Sequence, residues 1–282
     1  MFEVSIHAGR RVYRRSLPVS WKEAPANLRL AWWKLWIEDP DAAPLRILPD
    51  CLRLPKRVWR NLPAAEKGAL LKCLDWMEPA PGCDNLPVEH FRHRGRHYLL
   101  PRPKFENGTC LEFVLADGYY EDFVETGDPA ALLRIVATLC REPKTDLQEA
   151  LKTGDERVTL HQKEEVEYRA QQLSTLDPAI TSAVLLYFLG VKKYIADTYW
   201  MLFEDTKKQE DGGDQESDGS GPRFGWWSIF MQVAKDRLYG SYDDVLQHRL
   251  HKICVHLVEQ HDQQEKQKQA LERERAKLNS QS

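Results

Sequence analysis

The sequence predicts a mainly α protein with two small β-hairpins (α+β), closed by a C-terminal helical hairpin behind an acidic linker. Three observations carry that expectation. Apolar residues recur at steps of three, four and seven, as in Ile180, Val184, Phe188, Val191, Ile195 and Leu202, the spacing of a helix face packed on a core. Two short stretches depart from it. Phe2, Val4 and Ile6 alternate with polar residues before a turn at Ala8-Gly9, and Phe91 and Tyr98 flank an Arg94-Gly95 turn, so each reads as a hairpin. Residues 205–222 (DTKKQEDGGDQESDGSGP) carry no aliphatic or aromatic side chain. Such a stretch buries too little apolar surface to offset the entropy of ordering it. The expected organisation is a mostly helical body over residues 1–204, a disordered acidic linker over 205–222, and a helical appendage over 223–282 with a polar, charged end.

After the first hairpin, Ser20 with Glu23 fits a capping box. The helix behind it carries Leu28, Trp32, Leu35 and Trp36 on one face and stops at Asp39-Pro40. Pro44, Pro49 and Pro55 cut residues 42–61 into short helices joined by bends. Residues 64–77 form a cleaner helix through Leu70, Leu74 and Met77, ended by a loop rich in Pro and Gly over 78–87. Beyond the second hairpin, Asn107-Gly108 turns the chain, and Thr109 with Glu112 gives a second capping box. Asp128-Pro129 and Asp177-Pro178 each place a cap residue before proline in the first helical position. After the linker, Gly225-Trp226-Trp227 opens a helix through Leu238 that Gly240 stops. Ser241 and Asp244 then cap a long helix starting at Val245, whose Leu246, Leu250, Ile253 and Leu257 form a narrow apolar seam. From Gln263 onward the residues are mostly Gln, Lys, Glu and Arg. They can stay helical through i,i+4 pairs but have little to bury.

Composition excludes several classes. Net charge is only -3, which argues against a polyanion mimic or a general nucleic-acid binder. No run approaches the length of a membrane span, and no apolar stretch follows Met1, so neither a membrane nor a secretory route is expected. The six cysteines (51, 73, 83, 110, 140 and 254) contain no CxxC pair, which fits a reducing, cytoplasmic setting without disulfides or bound zinc.

The constellations that could carry chemistry are sparse. Asp214, Glu216, Asp218 and Gly219 imitate the start of a calcium loop, but Gly225 stands where the closing bidentate Glu belongs. The glycines from Gly219 to Gly225 lack dinucleotide or phosphate-loop spacing. His90, His93 and His97 would alternate across a hairpin. His248, His251 and Cys254 are spaced for one helix face but lack a fourth ligand. Gly154-Asp155-Glu156-Arg157 suggests a buried ion-pair corner. No nucleophile elbow, metalloprotease helix or Cys-His pair is present. No catalytic residue, metal site or cofactor is therefore expected. Arg92, Arg94, Arg96, Arg102 and Lys104 interleave with Phe91 and Tyr98, a pattern that can grip a phosphate backbone, face an acidic protein or be the solvated face of a hairpin.

Several local strings run through most of the chain: Leu17-Pro-x-Ser-Trp-Lys-Glu, Tyr98-x-x-Pro with Phe105-Glu-Asn, Glu112-Phe with Tyr119-Tyr120, Leu133 to Arg141, Gly154-Asp-Glu-Arg, Tyr199-x-x-Leu-Phe, and Gly225-Trp-Trp-Ser-Ile-Phe. In these strings the chain resembles a group of phage and prophage proteins from Bacteroidota, and its closing helix resembles the end of tail assembly chaperones. The resemblance implies a non-catalytic protein that assists tail assembly, with a tail tube or tape-measure protein as partner. The expected function is a non-enzymatic interaction or assembly factor. Trp226, Trp227, Phe230, Leu246, Leu250 and Leu257 would supply its apolar contact, either onto the body or onto a protein partner. The alternative is a nucleic-acid binder using the arginine hairpin.

Overall fold

The first residues pair as their alternation requires. β1 (Phe2–Ala8) and β2 (Arg11–Leu17) run antiparallel, from Phe2 opposite Leu17 to Ala8 opposite Arg11. Val4, Ile6 and Leu17 turn inward. The computed structural model describes residues 2–8, 11–39, 42–77, 88–203 and 225–279. The linker expected over 205–222, the calcium-like loop and the Pro/Gly loop over 78–87 lie outside the described residues.

α1 (Ala26–Glu38) starts later than a Ser20–Glu23 cap would place it. The Val19 amide donates to the Glu23 carboxylate, while the Glu23 and Ala24 amides donate to the Ser20 carbonyl. Residues 20–24 are thus a turn of their own. Proline disfavours helical geometry in the residue before it, so the helix begins only beyond Pro25. Of the three expected proline breaks only Pro55 separates two helices. α2 (Ala43–Cys51) carries Pro44 in its first turn and Pro49 within it, and α3 (Lys56–Asn61) starts after Pro55. α4 (Ala64–Leu71), which starts after Pro63, continues as a tighter turn over Lys72–Met77. Trp32 centres this region, edge-on to Trp21 and Trp33 at 4.9 Å and stacked on Trp36 at 4.8 Å.

β3 (His90–His93) and β4 (Arg96–Leu99) form the second antiparallel sheet. Arg94 (φ 48°) and Gly95 (φ 77°) both take positive φ, the turn that matches strand twist. Phe91 stacks on Tyr98 at 5.2 Å on the buried face. β4 continues outward through a bridge between Leu99 and Arg141.

The helical body comprises α5 (Cys110–Thr126), α6 (Pro129–Leu139), α7 (Leu147–Thr153), α8 (Lys163–Gln172) and α9 (Pro178–Thr198). Thr109 caps α5 through the Glu112 amide, and Asp128 and Asp177 cap α6 and α9. α5 packs on α6, α6 on α8 and α9, and α1 on α9. By length and composition α9 could cross a membrane, but Ile180, Val184, Phe188, Val191 and Ile195 are buried among the other helices.

Three helices complete the described chain: α10 (Gly225–Lys235), α11 (Tyr242–Gln247) and α12 (Leu250–Asn279). The long helix expected from Val245 is interrupted. His248 takes an extended backbone (ψ 155°), its carbonyl accepts from the Cys110 amide, and the Gly108 carbonyl accepts from the Leu250 amide. This cross-bridge to the start of α5 competes with the helix and wins. All three helices pack against α5. Trp226 meets Phe113 edge-on at 4.9 Å, and Phe230, Val233, Val245, Leu250, Ile253 and Cys254 are essentially inaccessible. The apolar contact that the sequence left open between body and partner is made with the body, in one continuous core cluster.

Candidate functional site

The chain places four charged side chains where helices, hairpin and loops meet. Glu112 lies in the first turn of α5, Arg141 follows α6, and Asp155 and Arg157 sit in the loop after α7. Glu112, Arg141 and Arg157 are each 1% exposed and Asp155 9%. Arg157 grips Asp155 through two bonds, Nε to Oδ1 and Nη2 to Oδ2, both 2.9 Å. Arg141 Nη2 donates to Glu112 Oε1 at 2.7 Å and reaches Asp155 Oδ2 at 3.3 Å. Arg157 Nη2 lies 3.0 Å from Glu112 Oε2. Two guanidiniums and two carboxylates thus balance. Only such pairing offsets the cost of removing charges from water.

The neutral groups around the cluster are committed as well. The Asn107 amide donates to Asp155 Oδ1 at 2.9 Å, while its carbonyl oxygen accepts from the Arg102 backbone at 2.7 Å. Arg157 Nη1 donates to the Leu139 carbonyl at 2.8 Å, closing the end of α6. Arg249 closes the other side by donating to the Glu106 and Thr153 carbonyls. Burial by itself would favour neutral Asp155, but Arg157 and Arg141 outweigh it and hold the carboxyl below its ordinary 3.8. Burial pulls Arg141 down, and the neighbouring Arg157 adds to that pull.

Above this cluster opens a cleft of about 410 Å³, within the range of ligand-sized cavities. Its floor is Asn107, Asp155 and Arg157, and its walls are Lys22, Arg29, Glu89, His90, the segment from Leu99 to Pro103, and Glu156. Arg29 pairs with Glu89 at 3.3 Å and Arg102 with Glu156 at 3.5 Å, both acids being largely exposed. The wall continues into a strained segment. Lys104 (φ 57°) and Phe105 (φ 64°) both adopt left-handed geometry, rare for residues with side chains. It is held by the fully buried Phe105 ring and by a bond of 2.7 Å between His251 Nε2 and the Lys104 carbonyl. Among the described residues, no serine, threonine, cysteine or tyrosine lines this cleft. Its two innermost charges, Asp155 and Arg157, are already neutralised by each other.

The residues expected from sequence fall in several places. Asp155 and Arg157 form the buried corner read from the Gly154-Asp155-Glu156-Arg157 string. Glu112, Arg141 and Asn107 were missed as its partners. Glu112 read as a helix cap, and it caps through its amide while its carboxylate goes to the arginines. The signal for Arg141 was a charge ending the otherwise buried run from Ile135 to Cys140.

The five basic residues do not form one stripe. Arg92 is exposed on the strand face shared with His90, and Arg102 lines the cleft. Arg94 donates to Thr175 at 3.2 Å, Arg96 pairs with Glu142 at 3.1 Å, and Lys104 lies 5.4 Å from the Tyr194 ring centre. Among the expected partner-binding residues, Trp226, Phe230, Leu246 and Leu250 are buried, Leu257 is half-buried, and Trp227 is 41% exposed beside Tyr242.

The histidine clusters do not converge. His90 and His97 meet edge-on at 5.1 Å, while the His93 ring lies 3.5 Å from the Thr175 hydroxyl. His248 stands off the helix that was to align it with His251 and Cys254. His251 uses both ring nitrogens: Nε2 donates to the Lys104 carbonyl, so in the neutral ring Nδ1 accepts from Tyr199 Oη at 2.9 Å. Cys254 is buried, and burial pushes its thiol up to about 12. Among the described residues, no three His, Cys, Asp or Glu side chains are placed together to hold a metal ion. Comparison with known protein families, characterised proteins and solved structures finds no match to this chain.

Proposed function

We propose that this chain is a non-enzymatic interaction or assembly factor that presents the distal part of α12 to a protein partner. One observation carries the reading. α12 runs to Asn279, yet from Asp262 to Arg273 every described side chain is exposed. At 1.5 Å per residue its last eighteen or so residues extend about 27 Å beyond the last packed turn. A polar helix of that length is marginal in water when it buries nothing. Its anchored first turns, with Leu250 and Ile253 in the core, extend it outward, where a partner can supply the missing contacts. Mixed charges and the exposed Leu271 suit a helical or grooved partner surface better than a membrane or a nucleic acid.

The cleft is compatible with this reading, since its wall acids Glu89 and Glu156 are paired with Arg29 and Arg102. The resemblance to phage tail assembly proteins narrows the partner to a tail tube or tape-measure protein. The test is co-purification of the full chain with a phage tail tube protein and a tape-measure protein, against a chain ending at residue 261. Capture by the full chain alone supports the proposal. Equal capture by both, or by neither, refutes it.

A further inference from the structure

The second hairpin leaves one strand edge without a neighbour among the described residues. In an antiparallel pair, alternate residues direct their backbone groups toward the partner strand and away from it. Leu99 exchanges bonds with Arg141 across the far side of β4, its amide donating at 2.8 Å and its carbonyl accepting at 3.1 Å. His90 stands opposite Leu99 and Arg92 opposite His97. The same register therefore turns the amide and carbonyl of His90 and of Arg92 to the outer edge of β3. Both residues are exposed. An edge of this kind is a template for another strand.

Among the described residues, the cleft beside this edge carries four cations (Lys22, Arg29, Arg102, Arg157) against three acids (Glu89, Asp155, Glu156), and Arg92 on the edge itself adds to the excess. Arg92 and His90 share one strand face, with His97 beside His90 at 5.1 Å, and His90 enters the cleft that also holds Lys22, Arg29 and Arg102. Lys22 makes no ion pair among the described residues, and the carboxylates on Arg29 and Arg102 belong to exposed side chains that a competing carboxylate can displace. Leu99, Leu100, Pro101 and Pro103 add an apolar ledge.

We infer that the outer edge of β3 takes an extended acidic peptide segment of a partner protein as a third strand, with its carboxylates directed to Arg92, Lys22 and Arg29. Strand addition draws affinity from main-chain bonds and specificity from side-chain pockets. A nucleic acid could use the cations but has no amide ladder to satisfy the edge. A second copy of this chain would bring its own Arg92 and His90 against these, setting like charges together. The inference is independent of α12, so loss of one binding activity leaves the other measurable.

Fluorescence anisotropy of the full chain with a labelled peptide alternating Glu and Thr tests it, with an alternating Lys and Thr peptide and single-stranded DNA as comparators. The acidic peptide is expected to bind at least about tenfold more tightly than either. Arg92→Pro removes the outward amide at an edge position that tolerates proline, and Arg92→Glu reverses the charge while keeping the amide. Each is expected to weaken binding at least about tenfold, with the hairpin's integrity read from the Phe91 and Tyr98 amide resonances. NMR-detected hydrogen exchange of the unsubstituted chain is expected to show the His90 and Arg92 amides protected by peptide. Equal or tighter binding of DNA, no preference for the acidic peptide, or unchanged exchange at both amides would overturn the proposal.

Discussion

Asp155 shows how much one side chain decides here. It accepts from Asn107 and Arg157 and lies against Arg141, so its loss leaves two buried guanidiniums sharing one carboxylate. Asp155→Asn is expected to cost about 3–5 kcal/mol, the usual penalty for breaking a buried ion pair, measured by urea unfolding at neutral pH. The sign of its pH dependence follows from its depressed pKa. Its contribution is complete above the ordinary 3.8 and is lost as pH falls through the lower folded value. The parent should lose stability more steeply than Asp155→Asn below about pH 4. Gly108 is constrained by space. A Cβ there would run into the Phe105 ring, which is fully buried and cannot yield. Gly108→Ala is expected to destabilise by about 1–3 kcal/mol, read from the thermal midpoint.

At the scale of elements, α5 is the axis to which the other pieces are fastened. Its N-terminus is capped by Thr109, bridged by the segment at 248–250, and loaded with Glu112. Thr109→Ala removes the cap and a long hydroxyl bond of 3.4 Å to the Glu112 carboxylate, and should cost about 1 kcal/mol if the cap dominates. A larger loss in chemical denaturation would mean that the cap also positions Glu112. α12 divides into an anchored and an exposed part. Ending the chain at residue 261 removes no described buried side chain, so the melting midpoint should stay within about 2 °C while helical ellipticity falls. A large drop in the midpoint would show that the distal helix stabilises the body and is not a handle.

For the molecule as a whole, the core runs without interruption from the tryptophans of α1 to Cys254 in α12. Phe113 is its hinge point, touching Phe105, Phe188 and Trp226. Phe113→Ala is expected to cost about 3–5 kcal/mol and to shift the near-UV aromatic signal and the far-UV helical signal in one coincident transition. Ending the chain at residue 224 would strip Trp226, Phe230, Val233, Leu250 and Ile253 from this core. The remainder is then expected to lose its cooperative melt, whereas two separate transitions in the full chain would show two independent cores.

The element types were legible in the sequence because their causes are local. Period-two alternation marked the first hairpin and the Arg94-Gly95 turn the second, Pro55 marked the break between α2 and α3, and Asp-Pro pairs marked the starts of α6 and α9. Asp155 and Arg157 were legible as an ion-pair corner because they lie two residues apart. What the sequence could not show was long-range. Glu112, Arg141 and Asn107 reach that corner from 14 to 48 positions away, and no periodicity records such a meeting. The break at His248 came from the backbone of residues 108–110, which offered hydrogen bonds that a continuing helix would have forgone. Whether the apolar face of residues 225–257 met the body or something else was likewise decided by packing, since hydrophobic burial has no direction of its own and takes the best surface within reach.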